Sequence, residues 1–212
     1  GASNLLALRR AGRANRALVD DLTRQEEAPA GPGAAELAEL STRFRKVMKR
    51  HAGRRFSQGR LLRDLPWYLM IGPPGSGKTT ALKQSDMVYP PDPDDRGYSG
   101  EDLRGVGGTR NCDWFIGDEI VLIDTAGRYT TQDSNDVDDN AAWLGFLDLL
   151  RKHRGIRALN GVVVTVPSDI LLDEDEAVPL GHARAIRARL AEIADRLDLR
   201  LPVYLMVSKV DR

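Results

Sequence analysis

Apolar positions near the start of the chain follow a helical period. Leu5, Leu8, Leu18 and Leu22 recur at that spacing with Arg9, Arg13 and Arg16 interleaved, which predicts an amphipathic, basic helix. Ala28 to Gly33 mixes alanine, proline and glycine, cannot hold a helix, and reads as a linker near 28–33. A second helix is expected where Leu37, Leu40, Phe44, Val47 and Met48 lie three or four apart and so share one face. Its Arg and Lys side chains read as a solvated face. Together these helices make an N-terminal appendage over residues 1–60.

From residue 61 onward the period shortens. Trp67-Tyr68-Leu69-Met70-Ile71 is an apolar run ending at a glycine, the pattern of a buried central strand. Further short runs, several rich in β-branched residues, lie at Cys112 to Ile116, Ile120 to Ile123, Gly161 to Val166 and Val203 to Val207. Helical patterns alternate with them after Lys78, from Ala141 to His153 and from Val178 to Leu197. This βαβ alternation predicts an α/β domain over 61–212, a mostly parallel sheet with helices on both faces. Gly117-Asp118 between two of the runs suggests a two-residue turn, and so one antiparallel hairpin strand.

Composition narrows the picture. The 212 residues, 42% of them hydrophobic, suffice for one such domain plus a smaller appendage. Lys plus Arg and Asp plus Glu balance at 31 each, so no global positive charge attracts a polyanion, and nucleic acid is not an expected partner. A single cysteine, Cys112, excludes an internal disulfide and is expected to be buried at the start of its strand. No apolar run approaches the roughly 18 to 20 residues that span a bilayer, and no secretory signal is present. Gly1-Ala2-Ser3 and the stop at Arg212 suggest a piece excised from a larger, cytosol-facing protein.

The candidate chemistry begins at Gly72-Pro73-Pro74-Gly75-Ser76-Gly77-Lys78-Thr79, which matches G-x-x-x-x-G-K-[ST] between an expected strand and an expected helix. Glycines at Gly72, Gly75 and Gly77 let the backbone fold tightly enough to turn N–H groups toward phosphate oxygens. In such a P-loop Ser76 and Thr80 join the nucleotide contacts, Lys78 reaches the β- and γ-phosphates, and Thr79 gives its hydroxyl to Mg²⁺. The strand ending in Asp124-Thr125-Ala126-Gly127 supplies a carboxylate for Mg²⁺ and, at Gly127, a backbone N–H for the γ-phosphate. Gly107-Gly108-Thr109-Arg110-Asn111 is a loop able to close over the nucleotide. Thr109 is the candidate second hydroxyl on the metal, and Arg110 either neutralises phosphate charge or pairs with Asp113. Ser208-Lys209-Val210-Asp211 departs from the Asn- or Thr-Lys-x-Asp pattern of guanine recognition at its first residue, with Lys209 and Asp211 as the base contacts. GTP and ATP both remain open.

Small GTPases carry a glutamine straight after the Asp-x-x-Gly motif, whereas this chain has Arg128, which cannot accept a proton. Hydrolysis in isolation is therefore expected to be slow or absent; Lys78, Thr109 and Arg128 are the candidate catalytic set. Gln132 reads as a solvent-facing loop residue. The acidic stretch Asp133 to Asp139 reads as a solvated loop that caps the next helix. His51, His153 and His182 lack metal-ligand spacing and read as surface or packing residues.

These strings together resemble the IcmF/TssM family, the inner-membrane core component of bacterial type VI secretion systems. Leu65-Pro66-Trp67-Tyr68, Thr109-Arg110-Asn111-Cys112-Asp113-Trp114, Arg128-Tyr129-Thr130-Thr131-Gln132-Asp133 and Leu159-Asn160-Gly161-Val162 carry the likeness, which runs from about Phe44 to Asp211. The resemblance implies a domain on the cytoplasmic face of the inner membrane, held by membrane segments absent from this sequence. It also implies two sets of partners, a companion inner-membrane protein and cytoplasmic baseplate subunits. Two other readings stand beside a nucleotide switch: a docking module with nucleotide as a structural ligand or absent, and a signal-recognition-type targeting GTPase, which shares Asp-Thr-Ala-Gly-Arg.

Overall fold

A computed structural model describes residues 31–51, 53–85, 87, 112–131 and 137–211. The expected basic N-terminal helix, the loop with Thr109 and Arg110, and Gln132 to Asp136 lie outside the described residues.

The first described helix, α1 (Ala34–His51), puts Leu40, Phe44 and Met48 on its buried face, with Lys49, Arg50 and His51 in the last turn where positive charge suits the helix dipole. Strand β1 (Trp67–Ile71) follows, then helix α2 (Lys78–Lys83) and strands β2 (Cys112–Ile116) and β3 (Val121–Thr125). Helix α3 (Val137–Arg154) carries Asp138 and Asp139 in its first turn and four basic residues in its last, again matched to the dipole. Strand β4 (Gly161–Pro167), the short α4 (Ser168–Leu171), α5 (Ala177–Leu197) and β5 (Val203–Ser208) complete the order. Short 3₁₀ turns connect several of these elements.

The sheet runs β2-β3-β1-β4-β5. β1 pairs in parallel with β3 and β4, β4 pairs in parallel with β5, and β2 runs antiparallel to β3. The mixed, mostly parallel sheet matches the expectation. The hairpin turn differs: the strands end at Ile116 and resume at Val121, so residues 117–120 connect them, closed by Gly117 N–H on the Ile120 carbonyl at 2.9 Å. The wider turn engages the segment before β1, since Asp118 accepts a hydrogen bond from the Ser57 N–H at 3.1 Å. β3 also runs on through Asp124 and Thr125 rather than stopping before them. Asp124 is thereby held by its neighbours on both sides, opposite Met70 and Asp113.

One face of the sheet buries Trp67, Leu69, Ile123, Val162 and Val164 beneath Phe44 of α1 and Trp143, Phe146 and Leu147 of α3. Each such side chain contributes roughly 1.5–3 kcal/mol relative to an exposed one, so α1 shares its core with the sheet rather than packing separately. Helices α1 and α3 approach closely at Gly145, where a Cβ would lie 2.5 Å from a Leu37 methyl. The opposite face has a smaller cluster of Met70, Leu82 and Phe115.

Gly145→Val should overpack this contact and lower stability by about 1–3 kcal/mol in urea denaturation. Adding Leu37→Ala should recover part of the loss. Full stability in the single variant would show that the helices have room to separate.

Candidate functional site

β1 ends at the carboxyl edge of the sheet and passes into the glycine-rich loop before α2. Gly75 and Gly77 adopt φ of +70° and +81°, the left-handed region that favours glycine. Gly72 is required for space: a Cβ there would meet the Thr165 carbonyl of β4 at 2.3 Å. Its N–H donates to Thr130 Oγ1 at 2.9 Å, which fastens the loop to the segment following β3.

Lys78 folds back inside this loop. Its ammonium donates to the Gly72 carbonyl at 2.8 Å, the Pro73 carbonyl at 3.2 Å and Ser76 Oγ at 3.2 Å. Burial holds its pKa down to about 8, with the Asp124 charge opposing the shift. Thr79 and Thr80 stand in the first turn of α2, Thr79 half-buried and Thr80 exposed. Thr79 Oγ1 donates to Asp124 Oδ2 at 2.5 Å. Asp124 itself is fully buried. Two hard oxygen donors from distant parts of the chain thus meet beside a buried lysine, a set suited to Mg²⁺, which takes one or two protein oxygens and completes its shell with phosphate and water. Among the described residues no cluster of three or more His, Cys, Asp or Glu side chains could hold a metal by itself.

Gly127 opens a 3₁₀ turn through Tyr129, directly against the loop. A Cβ on Gly127 would sit 2.3 Å from the Pro74 nitrogen, so the protein's own packing demands glycine there. Arg128 points to α1 and α3: its Nη2 pairs with Glu36 and its Nε donates to Asp139 Oδ1 at 3.0 Å. The Asp138 carboxylate accepts the Gly33 N–H at 2.7 Å, so the first turn of α3 anchors the approach to α1. Asp113 takes Arg43 of α1 at 2.5 Å, which engages a helix face that the sequence presents as solvated.

At the end of β5, Ser208 Oγ donates to the Ser76 carbonyl at 2.7 Å and ties the Ser208–Asp211 segment to the glycine-rich loop. Lys209, at φ +57°, has its carbonyl held by Ser168 Oγ at 2.7 Å and its ammonium 3.2 Å from Asp169. The Lys209 hydrogen bond holds the Asp169 carboxyl below its ordinary range. Asp211 follows in an exposed turn. Lys78, Thr79, Asp124, Gly127 and Ser208 therefore converge, while Arg128 faces elsewhere and Thr109 lies outside the described residues. The sequence reading missed Thr130, Ser168 and Asp169, because each acts through a partner remote in the chain.

Cys112 is buried, with its thiol pKa pushed up by desolvation and nearby carboxylates, and it is unpaired. His153 packs against Phe44 at 5.2 Å between ring centres, a core role. A cavity of about 390 Å³ opens near the beginning of β1, remote from the glycine-rich loop, where Arg154 stacks over Trp67 at 4.1 Å.

Fold and site define an α/β protein with a mixed, mostly parallel sheet and a buried-lysine glycine loop after its central strand. The chain belongs to the IcmF/TssM family. It is 49% identical over 181 residues to the "Type VI secretion system component TssM1" of Pseudomonas aeruginosa, a match that covers 84% of this chain and 16% of that relative. The chain thus spans a small part of the relative's length. Residues 136–212 match the IcmF-related N-terminal domain. Among the described residues no helix is long and apolar enough to cross a membrane.

Because the folded pKa of Lys78 lies below its ordinary 10.5, the unfolded chain holds a proton between about pH 8 and 10.5 that the folded chain has lost. Stability should therefore rise with pH across that window. Thermal melts of Lys78→Met should lack this rise. Equal slopes in both proteins would mean that the ammonium is solvated.

Ser208→Ala should lose about 1 kcal/mol in urea denaturation by leaving the Ser76 carbonyl without this donor. Ser208→Asn should lose less, because it keeps a donor; equal stability of all three would remove the tie from consideration.

Proposed function

We propose that this chain is the nucleotide-binding domain of a type VI secretion membrane-core protein, a P-loop domain of GTPase-like kind that takes Mg²⁺ with GTP or ATP. The observation that carries the reading is the 2.5 Å contact of Thr79 with Asp124 beside the buried Lys78. A bound triphosphate would replace the loop carbonyls around the Lys78 ammonium with anionic oxygens, and Mg²⁺ would neutralise phosphate charge between Thr79 and Asp124. Gly72, Gly75, Ser76, Gly77, Thr80 and Gly127 would line the phosphates, with Lys209 and Asp211 at the base. Thr109 would add a hydroxyl to the metal.

In this reading the domain regulates or energises assembly of the secretion complex at the cytoplasmic face of the inner membrane. Its partners are the companion inner-membrane protein and the cytoplasmic baseplate subunits. A docking role with nucleotide as a structural ligand is the second reading, favoured by Arg128, whose guanidinium pairs with Glu36 and Asp139. Turnover with and without those partner subunits separates the two.

The first test is titration of fluorescent GTP and ATP analogues with and without Mg²⁺. Wild type should bind one or both in a Mg²⁺-dependent manner. Lys78→Ala should weaken binding by roughly ten- to a hundredfold, the range of a charge-assisted hydrogen bond. Failure of wild type to bind either nucleotide would falsify the reading. A guanine preference that survives Asp211→Ala would remove Asp211 from the base site.

A further inference from the structure

We infer that Glu36 of α1 is a positioning residue that holds the Gly127–Tyr129 turn through Arg128, and thereby couples α1 to the glycine-rich loop. Its bearing on ligand binding rests on the nucleotide reading above; the mechanical coupling does not.

Glu36 Oε1 accepts hydrogen bonds from both Arg128 Nη2 and Tyr129 Oη. Arg128 Nε reaches Asp139 of α3 at 3.0 Å, and its guanidinium lies 4.8 Å from the Tyr129 ring centre. The Glu36 and Asp139 side chains are 20% and 15% exposed, so water screens these pairs only in part. Tyr129 is buried against Trp143, 5.9 Å between ring centres, and cannot swing away without opening the core. Three elements therefore share one polar knot.

The knot touches the loop directly. Gly127 precedes Arg128 and has no room for a Cβ beside Pro73 and Pro74. Thr130, just after Tyr129, accepts the Gly72 N–H. Any displacement of the turn consequently pushes on the loop on one side and on Glu36 on the other. Electrostatics give the knot direction, because Glu36 offers one carboxylate oxygen to two donors and a substitution there loosens both at once. Arg128, read from sequence as a substitute for a water-positioning residue, is by this geometry a tether to α1.

Hydrogen exchange on the full chain tests the inference. In nucleotide-free protein, Glu36→Ala should speed exchange of amides 126–131 about fivefold or more, the lower end of ordinary site-to-site coupling, while β4 amides stay unchanged. Leu37→Ala, which loosens α1 packing and leaves the knot intact, should not speed exchange at 126–131 selectively. In the reverse direction, Mg²⁺ with a GTP or ATP analogue should slow exchange at residues 34–40 of wild type. Glu36→Ala should bind the analogue yet transmit no such protection. Unchanged exchange at 126–131 in nucleotide-free Glu36→Ala, or an equal effect from Leu37→Ala, overturns the coupling. Absence of analogue binding by wild type overturns the nucleotide reading alone, and the nucleotide-free comparison then decides the coupling.

Discussion

The parallel pairing of β1 between β3 and β4 is the constraint on which the rest of this molecule depends. It sets Met70 opposite Asp124 and Ile71 opposite Val164, so β1 and β3 end together at one edge of the sheet while β4 runs on beside the loop to Pro167. The loop after β1 then has a carboxylate on one side and the β4 backbone on the other. Gly72 fits against the Thr165 carbonyl only because it has no side chain. A slip of β1 by one residue would turn Trp67 and Leu69 out of the core and carry the following loop, with Thr79, out of register with Asp124. The core and the site are therefore specified by the same hydrogen-bond register.

That register keeps charges where burial alone would not place them. Lys78 and Asp124 are almost completely removed from water, against the desolvation penalty of both ions. The lysine is satisfied by carbonyl and hydroxyl oxygens of its own loop, and burial still lowers its pKa to about 8. Local departures from stability of this kind are expected at sites organised for binding. The apolar core with Trp67, Trp143 and Phe146 packs under the sheet from whose edge the loop leaves.

Around this centre, side chains remote in sequence make the loop part of a larger assembly. Ser208 ties β5 to the Ser76 carbonyl, Thr130 ties the segment after β3 to Gly72, and Glu36 with Asp139 ties Arg128 to two helices. Helix α1 accordingly belongs with the sheet in packing, with Phe44 between Trp67 and Trp114. The same Arg128 that bars a glutamine's chemistry supplies a guanidinium planar enough to meet two carboxylates and lie near an aromatic ring.

The sequence by itself determined the elements and the candidate ligands. Continuous apolar runs and period-3.6 patterns are local, so β1 at Trp67–Ile71 and the long helices were legible, as were Lys78, Thr79 and Asp124 as candidates from their spacing beside glycines. The hairpin was legible as antiparallel, but its turn was wider, because the Asp118 carbonyl takes the N–H of Ser57, a residue that a local reading does not see. Only the tertiary structure decided that Arg128 faces Glu36, that Ser208 reaches Ser76, and that α1 joins the core. The reason is physical: these contacts join residues tens of positions apart, and their direction is set by strand register and helix packing, neither of which is encoded in any short stretch of chain.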